Sequence, residues 1–306
     1  MKKVVIFLFF GLFLWLVSCK TKQQQNGEET DTPSKGTINI SVDESFKPVM
    51  EQQIKVFHSS FPDAHILATY KSEVDCFKDL ENNDSTRMVI VGRGLSKEEI
   101  TFFKNKLFFK PQFSTIAYDA IAIIVNIKAK DSVFTLSDIK DLLSGKKGKT
   151  IIMDGNNATS SVRFLRDSLL MGAPFGKNVV GVKGNDAVID AVIKKEDAIG
   201  FVGLNWVGNV NEPKQKDDLK KIRLALVECV KCTEKNFFAK PSQASITFGE
   251  YPLARPVYYI LKENAAALGT GFVNFLSLER GQLIFRSSGL APGKMDFRSR
   301  ATKITE

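Results

Sequence analysis

Apolar residues follow two different spacings, which alternate along the chain from about residue 37 onward. TINISVD (37–43) alternates polar and apolar positions as a strand does, HILATY (65–70) has the composition of a strand, and MVIVG (88–92) is a short apolar run. Between the first two, residues 46–57 carry Phe, Val, Met and Ile at helical spacing. This alternation of strand and helix patterns predicts a parallel sheet with helices on both faces.

Two longer apolar strands divide the pattern into two α/β units. IAYDAIAIIVN (116–126) and ARPVYYILK (254–262) are of the type that is buried on both faces or shared between two lobes. Between them, TIIMD (150–154) predicts a strand, and DAVIDAVIKKEDAIGFVGL (186–204) predicts a helix, a turn and a strand. We therefore predict an α/β protein with two lobes.

The N-terminus predicts export and lipidation. MKK is followed by the uncharged run VVIFLFFGLFLWLV, which is shorter than the ~20 residues of a membrane-spanning helix. Cys19 follows Leu-Val-Ser, which resembles the lipobox of bacterial lipoproteins. We predict a lipoprotein signal peptide over 1–18 with Cys19 as the lipidated first mature residue; the alternative is an uncleaved anchor. Residues 19–36 contain no aromatic side chain and predict a flexible tether.

Charge and histidine content narrow the choice of partner. The formal charge is +9, and the mature chain would carry +7 because Lys2 and Lys3 belong to the predicted signal peptide. The excess is scattered, which argues against nucleic acid and is compatible with anionic solutes. The two histidines, His58 and His65, flank a turn and predict a structural role. We therefore predict no metal site and no cofactor.

The cysteines fit an exported protein without a redox centre. Cys229 and Cys232 form C-V-K-C in a segment that leads from a strand into a polar loop. A thioredoxin-like motif would instead open a helix, so we favour a local disulfide or two unpaired thiols. Cys76 lies in a predicted helix and is expected to be a buried, small apolar residue.

Four loops follow predicted strands and precede predicted helices, and each carries a hydroxyl, a glycine or an arginine. They are Asp43-Glu44-Ser45, Lys71-Ser72-Glu73, Gly92-Arg93-Gly94 and Asn157-Ala158-Thr159-Ser160-Ser161. Open α/β sheets bind ligands outside the carboxyl ends of their strands, where helix N-termini supply free N–H groups. Ser, Thr and Asn also cap ordinary helices. The recurrence of the pattern in four loops favours an anion-binding site.

Five segments, in this order, resemble PstS-type phosphate-binding proteins of ABC transporters, within the type 2 periplasmic binding protein superfamily. They are YDAIAIIVN (118–126), TLSDIKDLLSGK (135–146), AIGFVGL (198–204), YPLARPVYYILK (251–262) and FLSLERGQLIFRSSGLAP (275–292). The resemblance covers roughly residues 37–292. It implies the two-lobed type 2 fold, in which each lobe is a mixed, mainly parallel sheet flanked by helices and two hinge strands join the lobes.

The resemblance also implies lobe boundaries and a ligand site. Lobe I would comprise 37–120 plus 255–306, and lobe II 121–254, with the ligand gripped between them by hinge closure. Family members hold a tetrahedral oxyanion with backbone N–H groups, hydroxyls, an arginine and an acidic acceptor. The positions that match are Ser45, Ser72, Thr159, Ser160 and Ser161.

The second-lobe loop departs from the family pattern, which reads Ser-Gly-Thr with an arginine a few residues earlier. Here Asp154 stands where the arginine is expected. An aspartate would repel a phosphate dianion unless one of the two carries a proton. Asp154 is alternatively the acidic acceptor, with Arg93 or Arg163 supplying the cation; Asp119 is predicted to be structural.

Both arginines also have a structural interpretation. Arg93 follows a strand and precedes a helix, where a bidentate contact to an oxyanion is feasible, but it could equally pair with Glu98 or Glu99 on the surface. Ser96 and Glu99 predict a capping box for that helix. Arg163 lies just inside its helix, and a solvated face is the favoured interpretation.

These observations lead to two main functional hypotheses. The first is a non-enzymatic, monomeric lipoprotein on the periplasmic or cell-surface face of a bacterial membrane, which binds phosphate or a related oxyanion and delivers it to an ABC permease. The second is a fold relative that has lost phosphate binding and acts as a sensor, adaptor or surface-interaction lipoprotein. An enzyme is disfavoured, because the sequence has neither a Ser-His-Asp order nor a G-x-S-x-G elbow.

Overall fold

The computed structural model of the protein describes residues 31–155 and 159–295. Strands in these ranges are β1 Gly36–Asp43, β2 Ala64–Lys71, β3 Thr86–Val91, β4 Gln112–Asn126, β5 Val133–Phe134, β6 Ile151–Asp154, β7 Val179–Val182, β8 Ile199–Gly203, β9 Ile222–Leu224, β10 Leu226–Glu228, β11 Phe238–Ala239, β12 Ala254–Leu261 and β13 Ala291–Pro292. Helices are α1 Lys47–Ser60, α2 Glu73–Asn82, α3 Lys97–Leu107, α4 Leu136–Leu143, α5 Ser160–Phe164, α6 Gly184–Lys194, α7 Pro213–Asp218, α8 Gln243–Thr247, α9 Leu268–Ser277 and α10 Glu279–Ser287. The predicted α/β class is confirmed.

One ten-stranded mixed sheet runs through the described chain, in the order β2-β1-β3-β12-β4-β8-β6-β7, with β9 and β13 also pairing with β4. The strands β1, β2 and β3 are parallel in the first half, and β6, β7 and β8 are parallel in the second. The long strands β4 and β12 pair antiparallel with each other, and β4 also pairs with β8. The two apolar strands singled out in the sequence therefore link the halves of the sheet.

Local sequence explains where several helices begin and end. Ser96 and Glu99 form the predicted capping box of α3, in which each side chain accepts the other residue's backbone N–H. Thr135 and Asp138 form a second capping box at α4. After α4, Gly145 has φ +82°, a left-handed conformation that favours glycine at a helix end.

The apolar core has separate clusters on the two halves of the sheet. The largest is built mainly from residues 120–253, between β4, β6, β8 and the helix α6. Two others are built from residues 38–117 and 257–290. The clusters meet at the linking strands, near the predicted lobe boundaries, which remain a prediction.

The cysteines have structural positions. Cys76, in α2, is fully buried, as predicted, and belongs to the core between α2 and β3. Cys229 and Cys232 form a disulfide in the turn between β10 and β11, which is one of the two states favoured from the sequence.

The predicted signal peptide, the lipidation site Cys19 and most of the predicted tether lie outside the described residues. Asp31, where the described chain begins, binds the guanidinium of Arg87 and accepts the N–H of Leu268 at 3.1 Å. None of the helices that the structure describes has the length and apolar character needed to cross a membrane.

Phe57 provides a test of the first-half core. Its ring is fully buried within 4.9–5.3 Å of the rings of Phe61, Phe272 and Phe275. Phe57→Ala should lower the free energy of unfolding by about 3–5 kcal/mol, because the cavity cannot fully collapse. Phe248→Ala is the matched control, since Phe248 is exposed, and should change it by less than about 0.5 kcal/mol. The free energies of unfolding of both variants are measured by urea denaturation. Equal losses of this free energy would contradict the assignment of Phe57 to the core.

Candidate functional site

The Asp43 carboxylate lies at the carboxyl end of β1 and bridges the two halves of the molecule. One oxygen accepts the backbone N–H of Ser45 at 2.8 Å, and the other accepts the N–H of Ser160 at 2.7 Å. Ser160 begins a helical segment that continues to Leu169, so its N–H group has no partner within the helix. Asp43 and Ser160 are both fully buried. Two backbone donors, one in the loop after β1 and one at a helix N-terminus, thus hold a buried carboxylate.

Arg255 brings a buried cation to the same place. It stands directly opposite Asp119 in the β4–β12 ladder, and its Nη2 donates to Asp119 Oδ2 at 2.9 Å. Its Nη1 donates to the Ser160 hydroxyl at 2.9 Å, and its guanidinium lies 4.9 Å from the ring centre of Phe46. Arg255 is only 1% exposed, so its charge acts in a medium that screens weakly.

Hydroxyl groups from both halves meet beside this cation. The hydroxyls of Ser45 and Ser161 are 3.1 Å apart and share a hydrogen bond. The carbonyl of Ser45 accepts from Asn205 Nδ2 at 2.8 Å and from the Trp206 indole at 3.0 Å. These bonds fix the loop after β1 against the second half of the molecule.

Thr159 and Asp154 complete the second-half loop. Thr159 is fully buried, and within the described part of the chain its hydroxyl has no hydrogen-bond partner. Asp154 is also buried, and its Oδ1 accepts the N–H of Gly184 at 3.3 Å, at the start of α6. The pKa of the half-buried Glu44 is raised chiefly by burial and next by the negative charge of Asp154.

A second bridge between the halves lies beside the first. Glu73, at the start of α2, accepts the N–H of Gly92 at 2.8 Å and pairs with Arg163 from α5. Ser72 caps α2 through the N–H of Asp75, at 3.1 Å. Gly92 packs so closely that a Cβ there would lie 2.7 Å from the Ser160 Cβ. Only a glycine lets the loop after β3 approach Ser160 in this way.

The side chain of Arg93 lies away from this cluster. It makes a bidentate pair with Glu99, at 2.7 and 2.8 Å, and its guanidinium stacks 3.8 Å from the ring centre of Phe77. The structural interpretation of Arg93, a pair with Glu99, is the one observed. Of the predicted site residues, the structure therefore brings Ser45, Thr159, Ser160 and Ser161 together and places Ser72, Arg93 and Asp154 at the edges.

The electrostatics of the site are dominated by buried carboxylates. The pKa of Asp43 is raised from 3.8 to about 6, chiefly by burial and also by the neighbouring charge of Glu73, whereas Arg255 and the two N–H groups oppose the shift. Asp43 therefore takes up or releases a proton close to neutral pH. Within residues 31–155 and 159–295, no group of three or more His, Cys, Asp or Glu side chains is placed to hold a metal ion.

Sequence reasoning missed the central cation and the acidic bridge. Arg255 lies inside YPLARPVYYILK, where a charged residue in an otherwise apolar strand was the available signal. Asp119 in the other long strand was the matching signal, but the register that sets them opposite each other is visible only in the structure. Asp43 was included in a candidate loop without a role of its own.

Comparisons with known proteins identify relatives of this chain. A family model of the PBP superfamily domain matches residues 27–279. The chain is 20% identical to the phosphate-binding protein PstS of Borreliella burgdorferi, over 94% of this chain and 98% of that protein. Among solved structures it is similar to a candidate phosphate ABC transporter substrate-binding protein with bound phosphate from Clostridium perfringens, with a TM-score of 0.68, 22% identity, and 84% and 99% of the two chains covered. An ABC-type phosphate transport receptor from Vibrio cholerae gives a TM-score of 0.62 at 16% identity, covering 84% and 100%.

The raised pKa of Asp43 predicts a pH-dependent contribution to stability. The protonated carboxyl is favoured in the folded state, so its contribution is complete below about pH 4 and is lost as the pH rises through about 6. Asp43→Asn cannot ionise. The free energy of unfolding of the variant relative to wild type should therefore rise by on the order of 3 kcal/mol between pH 4 and pH 7.

The altered hydrogen bonds of Asp43→Asn change the free energy of unfolding by an amount that does not depend on pH. Urea denaturation across that pH range separates this constant part from the pH-dependent part. Ser161→Ala changes the same cluster without removing a titratable group and should differ from wild type by an amount independent of pH. A pH-independent difference for Asp43→Asn would show that its carboxyl has an ordinary pKa in the folded protein.

Proposed function

We propose that this chain, which belongs to the PBP superfamily, is a non-enzymatic solute-binding protein. In this proposal it holds phosphate or a related tetrahedral oxyanion between its two halves. The observation that carries this proposal is the position of the Asp43 carboxylate, an anionic group held by two backbone N–H groups beside a buried arginine. A spot that binds a carboxylate in this way has the donors that an oxyanion requires. The bound phosphate in the Clostridium perfringens structure supports the choice of ligand.

In this proposal the anion takes over the N–H groups of Ser160 and Ser45 from Asp43. The hydroxyls of Ser45, Thr159, Ser160 and Ser161 supply further donors, and the Thr159 hydroxyl, which has no hydrogen-bond partner among the described residues, is already buried next to them. Arg255 supplies the cation, in place of the predicted Arg93. For Ser72, Arg93 and Asp154 to touch the ligand, each would have to leave its contact in this structure. Their role as ligands is therefore left out of this proposal.

The charge of the site favours a protonated ligand. Asp43, Asp119 and Arg255 are all buried, so with both aspartates ionised the centre carries one excess negative charge before any anion enters. A bound anion is therefore stabilised when a proton enters with it, either on Asp43 or on the ligand and shared with Asp43. Asp43, rather than Asp154, is the acidic acceptor in this proposal.

The transport part of the proposal rests on the relatives and on the N-terminus. The relatives named above include a phosphate transport receptor and a PstS protein. The signal-peptide pattern and Cys19 support a lipid-anchored protein on the outer face of a bacterial membrane. We propose that closure around the anion is followed by delivery to an ABC permease, whose docking reopens the halves.

A second candidate function is supported by the same carboxylate. Asp43 already satisfies the two N–H groups, and Asp154 stands where the PstS-type pattern has an arginine. A protein closed by its own carboxylate would act as a sensor, adaptor or surface-interaction lipoprotein without binding phosphate. An absence of binding at millimolar phosphate, sulfate, molybdate and tungstate would favour this candidate.

Isothermal titration with phosphate tests the site. Ser160→Ala removes a hydroxyl that accepts from Arg255 and is a proposed donor to the ligand, and should weaken binding about 10-fold to 100-fold, as expected for a hydrogen bond to a charged group. Arg93→Ala is the matched control and should bind phosphate as the wild type does. Loss of binding in Arg93→Ala with none in Ser160→Ala would exclude this assignment, provided thermal unfolding shows both variants folded.

Proton uptake tests the role of Asp43. Titrating phosphate at pH 7 in two buffers of different ionisation enthalpy gives the number of protons taken up per anion bound. Wild type should take up more protons than Asp43→Asn, because Asp43 is largely ionised at pH 7 without ligand and gains a proton when the anion enters. Equal uptake by the two proteins would show that the proton belongs to the ligand alone.

A further inference from the structure

The C-terminal end of α3 exposes aromatic side chains among lysines. Phe102 is 45% exposed and Phe108 94% exposed, and Lys104, Lys106 and Lys110 are exposed within the same ten residues. We call these five residues the Phe108 patch. Solvent-facing phenylalanines interspersed with lysines are typical of surfaces that lie at a membrane interface.

Packing does not account for Phe108. Its φ is +62°, in the left-handed conformation that ends the helix, and an aromatic residue is strained there relative to glycine or asparagine. The side chain recovers no burial in return, since it is almost fully exposed. The fold thus gains nothing from an aromatic side chain at a position where glycine would serve better. A binding role supplies the missing reason.

The charge around the patch is positive. Lys106 donates to the carbonyl of Glu81, with Asp84 4.0 Å away as its nearest carboxylate partner, and Lys110 lies 5.2 Å from the ring centre of Phe113. Lys262, which follows β12, lies near both Asp84 and Lys106. Anionic phospholipids attract such a group of lysines when it lies near their surface.

The patch lies at the end of the molecule where the described chain begins. The starts of β3 and β4 and the end of β12 are neighbours there, since Leu261 pairs with both Met88 and Gln112. Arg87, at that end of β3, binds Asp31, and α3 returns to the same end, where Lys106 contacts Glu81. A chain from Cys19 to Asp31 spans at most about 40 Å, so a lipid on Cys19 would keep this end near the bilayer.

We propose that the Phe108 patch is a membrane-contact surface, at which Phe102 and Phe108 enter the headgroup region of anionic phospholipids and the lysines bind lipid phosphates. The proposal rests on the lipid-anchoring part of the proposed function and is independent of which solute is bound. It gives the anchored protein a defined orientation at the membrane, in addition to its lipid attachment.

This orientation follows from the parallel strands. The candidate anion site is at the opposite end of β1 and β3, where Asp43 ends β1 and Gly92 follows β3, about 17 Å from the start of β3. Contact through the Phe108 patch therefore points the site away from the bilayer, toward the solution that holds the solute. Permease docking would then require the patch to leave the lipid.

Tryptophan fluorescence of the full chain tests the contact. Phe108→Trp is mixed with phosphatidylcholine vesicles with or without phosphatidylglycerol, and its emission is compared with that of the parent chain to subtract the native tryptophans. The emission of the new tryptophan should shift to shorter wavelength and be quenched by brominated lipid when phosphatidylglycerol is present.

Replacing Lys104, Lys106 and Lys110 by Gln should lower the ratio of lipid-contacting to free tryptophan about fivefold per lysine, or about 1 kcal/mol each. High salt should lower this ratio as well.

Phe248→Trp is the matched control, because Phe248 is another exposed phenylalanine that directly follows a helix, and it should be neither shifted nor quenched. An unshifted, unquenched tryptophan at 108 with both vesicle types would overturn the proposal. Equal quenching of a tryptophan at 248 would also overturn it. A spectral shift that appears only when an ABC permease is added would overturn it too, because it would identify a protein partner. Phosphate titration of the triple lysine variant should match wild type, so failure of the solute-binding proposal is recognised separately.

Discussion

The buried ion pair between Arg255 and Asp119 is the constraint on which the site depends. Two charges at the centre of a sheet lose their hydration, and their attraction offsets this loss only when the remaining hydrogen-bonding groups are also satisfied. The β4–β12 register places them opposite each other, and the Ser160 hydroxyl and the face of Phe46 complete the surroundings of the guanidinium. Because Ser160 belongs to the second half and Phe46 to the first, satisfying Arg255 requires the halves to be together.

Other contacts between the halves are also polar, and two of them centre on carboxylates. Asp43 is held by Ser160, and Glu73 is held by Gly92 and Arg163. A polar interface of this kind opens more readily than an apolar one, since water can replace each hydrogen bond at modest net cost. The halves are therefore joined by the strands β4 and β12 and by polar side-chain contacts, an arrangement compatible with the proposed closure around a solute.

Much of the fold was predictable from periodicity, whereas only part of the site was. The alternation of elements, the capping box of α3, the buried Cys76 and the two linking strands follow from local patterns. Ser45 and Ser160 were identified because hydroxyls after strands are a local signal. Arg255 was not, because its role depends on the register of two strands far apart in sequence. Arg93 is the opposite case. Its local context suits either contact with a ligand or pairing with Glu99, and only the packing on Phe77 distinguishes these two interpretations.

The two candidate functions differ in the free energy with which Asp43 holds its donors. If an anion must displace this carboxylate, its apparent dissociation constant equals the intrinsic value divided by the fraction of molecules in which the donors are released. Protonation of Asp43 weakens its hold and raises that fraction, and its pKa of about 6 places this change just below neutral pH. A modest hold gives a phosphate receptor with pH-dependent affinity, and a hold of about 5.5 kcal/mol would reduce the released fraction on the order of 10⁴-fold. The same geometry thus accommodates both proposed functions, which differ in the strength of one carboxylate's hydrogen bonds.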